Sequence, residues 1–315
     1  MTAQGHAPVA SLPAGGAPWA EGLSLTASDG VSLRAAVWNP EGARGLALLF
    51  TGRTEFLEKA SPTAAALASR GFAVASLDWR GQGLSERLLP EPMKGHVPRF
   101  EDFGLDIAAL LAAPVVARAG PVRLVLAHSM GTAIAVGAAA RGQIAPGALM
   151  LSAPMAGLAF KPWQNMPVRL VAKAARAVGL GERWPPALGA AEPYVFKAFE
   201  GNCLTHDRAM YDWQGQAIRE APGLGLGLPT FGWIAAAYDA MALMGRVGPP
   251  GFPVHVLLGG KDGVVSNTAS RAMAGRMGAS VFEIDGARHD ILLEDEARRA
   301  ALWAEVDGFL GRVGV

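Results

Sequence analysis

Hydrophobic residues follow two rhythms along this chain. Residues 31–38 alternate apolar and polar side chains as a half-buried strand does, and the run closes at Asn39-Pro40. Residues 45–50 are continuously apolar, which predicts a buried strand running into the loop Thr51-Gly52-Arg53-Thr54-Glu55. Helical spacing follows over 56–70, with Gly71 as the stop signal. A strand is predicted over 72–79, closed by Arg80-Gly81-Gln82-Gly83, and a helix over 100–119 with apolar residues three and four apart. Residues 122–128 read as a strand, 130–141 as a helix and 148–152 as a strand. Strands alternating with helices imply a mostly parallel sheet covered by helices on both faces, the α/β class.

The alternation then stops. Residues 155–250 hold Pro-interrupted helical stretches and no convincing strand, and the strand rhythm resumes at 254–258 and 280–284 before a final helix over 292–313. The organisation expected is therefore a core of residues 23–154 and 251–315 with a helical cap, 155–250, inserted between late strands. Residues 1–22 are rich in Ala, Gly and Pro and lack periodicity, which predicts a flexible tail. They also lack the basic start and apolar block of a secretory signal, so the default compartment is the cytoplasm.

Composition narrows the function classes. Of 315 residues, 51% are apolar, enough for a large core. The closest approach to a membrane span, residues 107–117, contains Pro114 and falls short of the roughly 18 apolar residues that a span needs. The formal net charge is +1 with no run of basic residues, which counts against nucleic acid as a partner. Cys203 is the single cysteine, so a disulfide framework and a thiolate zinc site are both excluded.

The chemistry centres on Ser129. It sits in Ala127-His128-Ser129-Met130-Gly131, where an apolar strand run meets a small-residue helix run. This resembles the G-x-S-x-G nucleophile elbow of α/β-hydrolases, with Ala127 in place of the first glycine. Small residues are needed on either side because the tight turn brings strand and helix together. The bland reading is a serine that caps the helix.

A serine hydroxyl needs a base to take its proton, and the base needs a carboxylate to orient it. In α/β-hydrolases the acid and then the histidine follow the serine. Among His6, His96, His128, His206, His255 and His289, only His289 follows the best acid, Asp262. Asp262 lies just past a predicted strand in Gly259-Gly260-Lys261-Asp262, and His289 just past the next in Gly286-Ala287-Arg288-His289. Ligand sites of open α/β sheets gather at that edge. Asp285 and Asp290 read as turn or surface residues, His206 as a structural or substrate-contact residue, and His255 as a satisfied core histidine. The backbone N–H groups of Met130 and Arg53 are the expected donors to a developing oxyanion.

With the string Gly52-Arg53-Thr54-Glu55-Phe56-Leu57-Glu58-Lys59 and Asp78-Trp79-Arg80-Gly81-Gln82-Gly83, the chain resembles the lysophospholipase and monoacylglycerol lipase group of the α/β-hydrolase superfamily. The cap segment from Gly201 to Asp207 adds to the likeness. Thr51 departs from the histidine that many relatives carry before the glycine, which touches the support of the oxyanion loop. The resemblance implies a serine ester hydrolase that needs no cofactor or metal and acts on a lipid-like ester, most simply a lysophospholipid or monoacylglycerol. General carboxylesterase, thioesterase or amidase activity with the same triad stays open, as does a non-catalytic binding protein. Aromatic residues crowd the cap, Trp163, Trp213, Trp233 and Tyr194 among them, and serve either its own core or an acyl-binding tunnel. An apolar rim on the cap would let it touch a membrane surface transiently.

Overall fold

Eight strands form one sheet in the computed structural model, which describes residues 7–186 and 192–315. They are β1 (Glu21–Thr26), β2 (Ser32–Ala43), β3 (Leu46–Phe50), β4 (Phe72–Leu77), β5 (Val122–His128), β6 (Ala148–Ser152), β7 (Val254–Gly259) and β8 (Ser280–Ile284). Their order is β1-β2-β4-β3-β5-β6-β7-β8. The β1/β2 and β2/β4 pairs are antiparallel and all the others parallel. Every residue of β3, β4, β6 and β7 is buried, so both faces of the central sheet are covered, as continuous apolar runs require.

The covering helices are α1 (Leu57–Ala68), α2 (Phe103–Ala112), α3 (Pro114–Arg118), α4 (Met130–Ala140), α8 (Asn267–Met277) and α9 (Glu296–Val313). Between β6 and β7 come α5 (Pro162–Ala177), α6 (Arg208–Glu220) and α7 (Phe231–Met244), with no strand among the described residues there. This is the inserted helical cap expected from the loss of alternation. Residues 187–191 of that segment lie outside the described residues.

Four differences from the sequence reading have local causes. The helix expected over 100–119 breaks at Ala113, whose ψ of 128° is the extended conformation that a following proline imposes. β2 runs past Asn39-Pro40 because Asn39 takes a positive φ of 46° within a register shift, a bulge that lets pairing resume at Ala43. α8 escaped notice because its sequence is small and polar; Ser266 caps it by accepting the Ala269 N–H. The expected flexible tail over 1–22 is also corrected, although residues 1–6 fall outside the described residues. Val9 N–H donates to the Glu58 carboxylate at 3.0 Å, and Ser11 N–H to Glu220 on α6 at 3.0 Å. Trp19 packs edge-on against Trp38 at 5.7 Å, and β1 begins at Glu21. Trp38, Glu58 and Glu220 fix this segment from outside it, and no local periodicity reports them.

Candidate active site

Ser129 stands between β5 and α4 with φ 50° and ψ −117°, a backbone conformation that side-chain-bearing residues rarely adopt. Such outliers cost about 1–3 kcal/mol and cluster at functional sites. The turn is tight enough that a Cβ on Gly131 would lie 2.4 Å from the Phe50 carbonyl oxygen. Ala127 is completely buried within β5, so alanine is accommodated where the pattern has a glycine.

Asp262 and His289 come from the loops after β7 and β8. One Asp262 oxygen accepts the N–H groups of Val264 and Val265 at 2.8 and 3.0 Å, which fixes the carboxylate in its loop. The other lies 2.8 Å from His289 Nδ1. A carboxylate only accepts, so Nδ1 carries the proton and Nε2 is left as an acceptor. The Ser129 hydroxyl lies 2.9 Å from that Nε2 and donates to it. Burial alone would raise the Asp262 carboxyl, but the hydrogen bond and charge of His289 hold it below the usual carboxylate range. The structure thus brings together all three residues singled out in the sequence.

Arg53 and Met130 line the same cavity as Ser129 and His289. Met130 opens α4, where the first N–H groups of a helix have no intrahelical acceptor. Thr54, next to Arg53, has a positive φ of 63°. The loop holding Arg53 owes nothing to the side chain of residue 51: Thr51 Oγ1 is buried without a partner. Instead Trp79 Nε1 donates to the Thr51 carbonyl at 3.0 Å, Gln82 Nε2 donates to the Gly52 carbonyl at 2.8 Å, and the Gly52 N–H donates to Glu55. Three groups thus hold the loop where many relatives carry a histidine.

A buried charge cluster lies beside His289 and has no mark in the local sequence. Lys59 Nζ sits 2.8 Å from Glu55 Oε1 and 2.8 Å from Asp290 Oδ2. His128 Nε2 lies 3.6 Å from the other Asp290 oxygen, and the rings of His128 and His289 are 5.0 Å apart. Asp290, expected as a turn or surface residue, is thus corrected to a buried ion-pair partner, 4% exposed. Burial works against charging all four groups, while each favours the charged form of its oppositely charged partners. Asp290 is held far below the usual carboxylate range by Lys59 and His128, and Glu55 is lowered by Lys59. The two carboxylates raise Lys59 and His128. Glu55 and Lys59 are one helical turn apart, a spacing usually found as a surface pair; nothing local in the sequence marks them as buried.

The other candidates fall outside the reaction centre. His206 Nδ1 pairs with Glu294 at 2.9 Å, and Glu294 also accepts the N–H of Arg288 at 2.7 Å. The His289 N–H donates to the Cys203 carbonyl at 3.2 Å, so the cap segment around Cys203 steadies the histidine loop. Cys203 is half-buried and lines the cavity over Ser129. His255 stacks on Phe309 at 4.7 Å in the core. Asp285 is exposed. Among the described residues, two sets of donors lie close enough to hold a cation, His128–His289–Asp290 and His206–Glu294–Asp295. In the first, Asp290 is engaged by Lys59 and both nitrogens of His289 by the triad; in the second, Glu294 clamps His206 and Arg288.

The cavity over Ser129 measures about 250 Å³. A second cavity of about 520 Å³ shares two of its lining residues, Leu158 and Trp233. The second is walled by aliphatic and aromatic side chains of the cap, Val168, Phe231, Ile234 and Met241 among them.

Residues 41–296 match the family Hydrolase_4, described as "Serine aminopeptidase, S33". The chain is 31% identical over 303 residues to lysophospholipase L2 of Escherichia coli, covering 90% of this chain and 86% of that protein. It is 30% identical over 276 residues to a probable lysophospholipase L2 of Haemophilus influenzae, covering 86% and 85%. Its fold is similar to a soluble variant of monoglyceride lipase from Saccharomyces cerevisiae (TM-score 0.71, 19% identity, 99% and 98% coverage). A carboxyl esterase from Bacillus coagulans gives a TM-score of 0.75 at 17% identity, with 94% and 99% coverage.

Proposed function

The chain belongs to the α/β-hydrolase family described as serine aminopeptidase, S33, and from that premise we propose that it is a serine hydrolase of lipid-like carboxylic esters, most simply lysophospholipids or monoacylglycerols. The observation that carries the reading is the relay from Asp262 through His289 to Ser129, 2.8 and 2.9 Å per link, facing a cavity that shares Leu158 and Trp233 with an apolar chamber. Ser129 Oγ attacks the ester carbonyl as His289 Nε2 takes its proton. The Arg53 and Met130 N–H groups stabilise the oxyanion, and His289 returns the proton to the departing alcohol. Water, deprotonated by His289, then releases the acyl group from Ser129. The named relatives act on lysophospholipids, which supports the same substrate class here.

An aminopeptidase reading, suggested by the family's description, has less support. A peptide's free amino terminus needs an uncommitted carboxylate near the scissile bond. The two carboxylates that line the cavity, Glu55 and Asp290, are both held by Lys59.

The test is initial rates on p-nitrophenyl esters from acetyl to palmitoyl, a monoacylglycerol and lysophosphatidylcholine, for wild type and Ser129→Ala. Turnover that depends on Ser129 and favours the long-chain lipids is expected. Turnover confined to the short esters would reduce the enzyme to a general carboxylesterase, and cleavage of aminoacyl amides alone would restore the peptidase reading.

The cap carries a further feature for a lipid substrate. α5 presents Trp163, Met166 and Leu170 to solvent, 69%, 59% and 58% exposed at helical spacing, with Arg169 and Lys173 alongside. A helix of this kind lies in a lipid–water interface with its apolar face inserted. Among the described residues no helix is long and apolar enough to cross a membrane. Trp163→Ser with Leu170→Ser is expected to lower the fraction that sediments with anionic phospholipid vesicles by about tenfold. It should leave hydrolysis of a soluble short-chain ester unchanged. Equal sedimentation of the two proteins would remove this role from α5.

A further inference from the structure

Two cations line the catalytic cavity and are treated oppositely. Lys59 sits between two carboxylates, whereas Arg53 has no carboxylate partner among the described residues. The Arg53 Nη2 donates to the Gly227 carbonyl at 2.5 Å, and the guanidinium lies 5.2 Å from the centre of the Trp233 ring. Its Nε is buried with no acceptor. Gly95 makes the room, since a Cβ there would stand 2.2 Å from Nη2. A guanidinium offers five N–H donors in a planar fork, and here one is used. Burial pushes the group down to about 10, with no carboxylate to counter it. A cation withdrawn from water is unfavourable unless an anion or a full set of acceptors compensates it. One carbonyl and one ring face do not make a full set.

The position of this charge identifies what completes it. On the reading above, the backbone of Arg53 serves the reacting carbonyl, so an anion at its guanidinium belongs to the same substrate molecule as the ester at Ser129. In a lysophospholipid, one glycerol carries both the ester and a phosphodiester. We propose that the Arg53 guanidinium is a phosphate subsite that takes the head-group phosphodiester, so that phosphate-bearing glycerol esters are preferred to those ending in a hydroxyl. Planar, bidentate recognition of phosphate is what arginine does better than lysine. The inference rests on the ester hydrolase reading and names the substrate class within it.

The test compares two uncleavable probes of equal chain length as inhibitors of p-nitrophenyl butyrate turnover: dodecylphosphocholine and 1-O-dodecylglycerol. In wild type the first should bind at least about tenfold more tightly, and added salt should narrow that ratio. Arg53→Gln should bring the ratio to one, and Arg53→Lys should keep part of it. Because both probes are measured in each variant, the ratio does not depend on any loss of turnover. Equal inhibition in wild type, or a ratio untouched by Arg53→Gln while both probes weaken together, would overturn the subsite and leave Arg53 as a brace for the cap. Inorganic phosphate inhibiting as tightly as dodecylphosphocholine would also overturn it, in favour of a site for the free ion. If wild type does not turn over p-nitrophenyl butyrate, the hydrolase reading itself falls. Calorimetric titration of Ser129→Ala, with and without Arg53→Gln, then decides the subsite by the same ratio.

Discussion

Ser129→Ala is expected to lower kcat on the preferred ester by about a million-fold, with little change in KM. Removing the nucleophile of a serine hydrolase singly costs about as much as removing the whole triad, because the three act as a unit. The residue left behind would come from the oxyanion donors and binding, about a thousandfold or more over water. Ser129→Gly should be equally inactive and at least as stable as Ser129→Ala. At φ 50° and ψ −117° the side chain stores strain that glycine avoids. Thermal unfolding of the two variants side by side measures this. A glycine variant less stable than the alanine one would mean that the elbow is not strained. Retention of more than about a hundredth of wild-type turnover by Ser129→Ala would remove Ser129 from the role of nucleophile.

The second large effect is expected at Lys59. Lys59→Met leaves the Glu55 and Asp290 carboxylates buried without the cation that joins them, which should destabilise the fold by about 3–5 kcal/mol at neutral pH. Glu55 holds the Gly52 N–H and Asp290 follows His289, so the oxyanion loop and the base both lose their brace. kcat should fall by about a hundredfold, as a displacement of about 1 Å in reacting groups does, while KM for a short ester holds.

The dependence on pH separates charge from lost packing. Asp290 and Glu55 have depressed values in the fold, so their contribution is present above the unfolded carboxylate range, near 4, and is lost as pH falls through the folded values. His128 is raised, so its contribution is present below about 6.5 and lost as pH rises through its folded value. The contribution of this cluster to wild-type stability should therefore be greatest between about pH 4 and 6.5. The deficit of Lys59→Met should shrink as pH falls from neutrality toward 4, because its carboxylates take up protons more readily. Urea unfolding across that range reads it, and a deficit independent of pH would mean that only packing was lost.

The difference between these two sites explains what the sequence disclosed. Ser129 was legible because its chemistry needs a local pattern: apolar strand, sharp turn, small residues, helix. Asp262 and His289 were legible because each follows a strand, and strand ends of a parallel sheet share one edge. Lys59, Asp290 and His128 were not, since their burial depends on chain segments far apart in sequence. Lys59 and Asp290 are separated by 231 positions. The same reason hid the N-terminal segment, whose order comes from Glu58, Glu220 and Trp38. The cap was visible as an interruption of rhythm, but the exposure of Trp163 on α5 was not, because an aromatic residue at helical spacing reads equally well as core.

The 160 positions between Ser129 and His289 carry a consequence for the protein while it is being made. At about 5–20 residues per second, a ribosome finishes Ser129 roughly ten to thirty seconds before it finishes His289. On the proposed mechanism, Ser129 has no proton acceptor until the loop after β8 emerges. A nascent chain is therefore chemically silent toward the lipids around it. On that mechanism, activity arrives in one step when the carboxyl-terminal quarter docks, a safeguard set by topology.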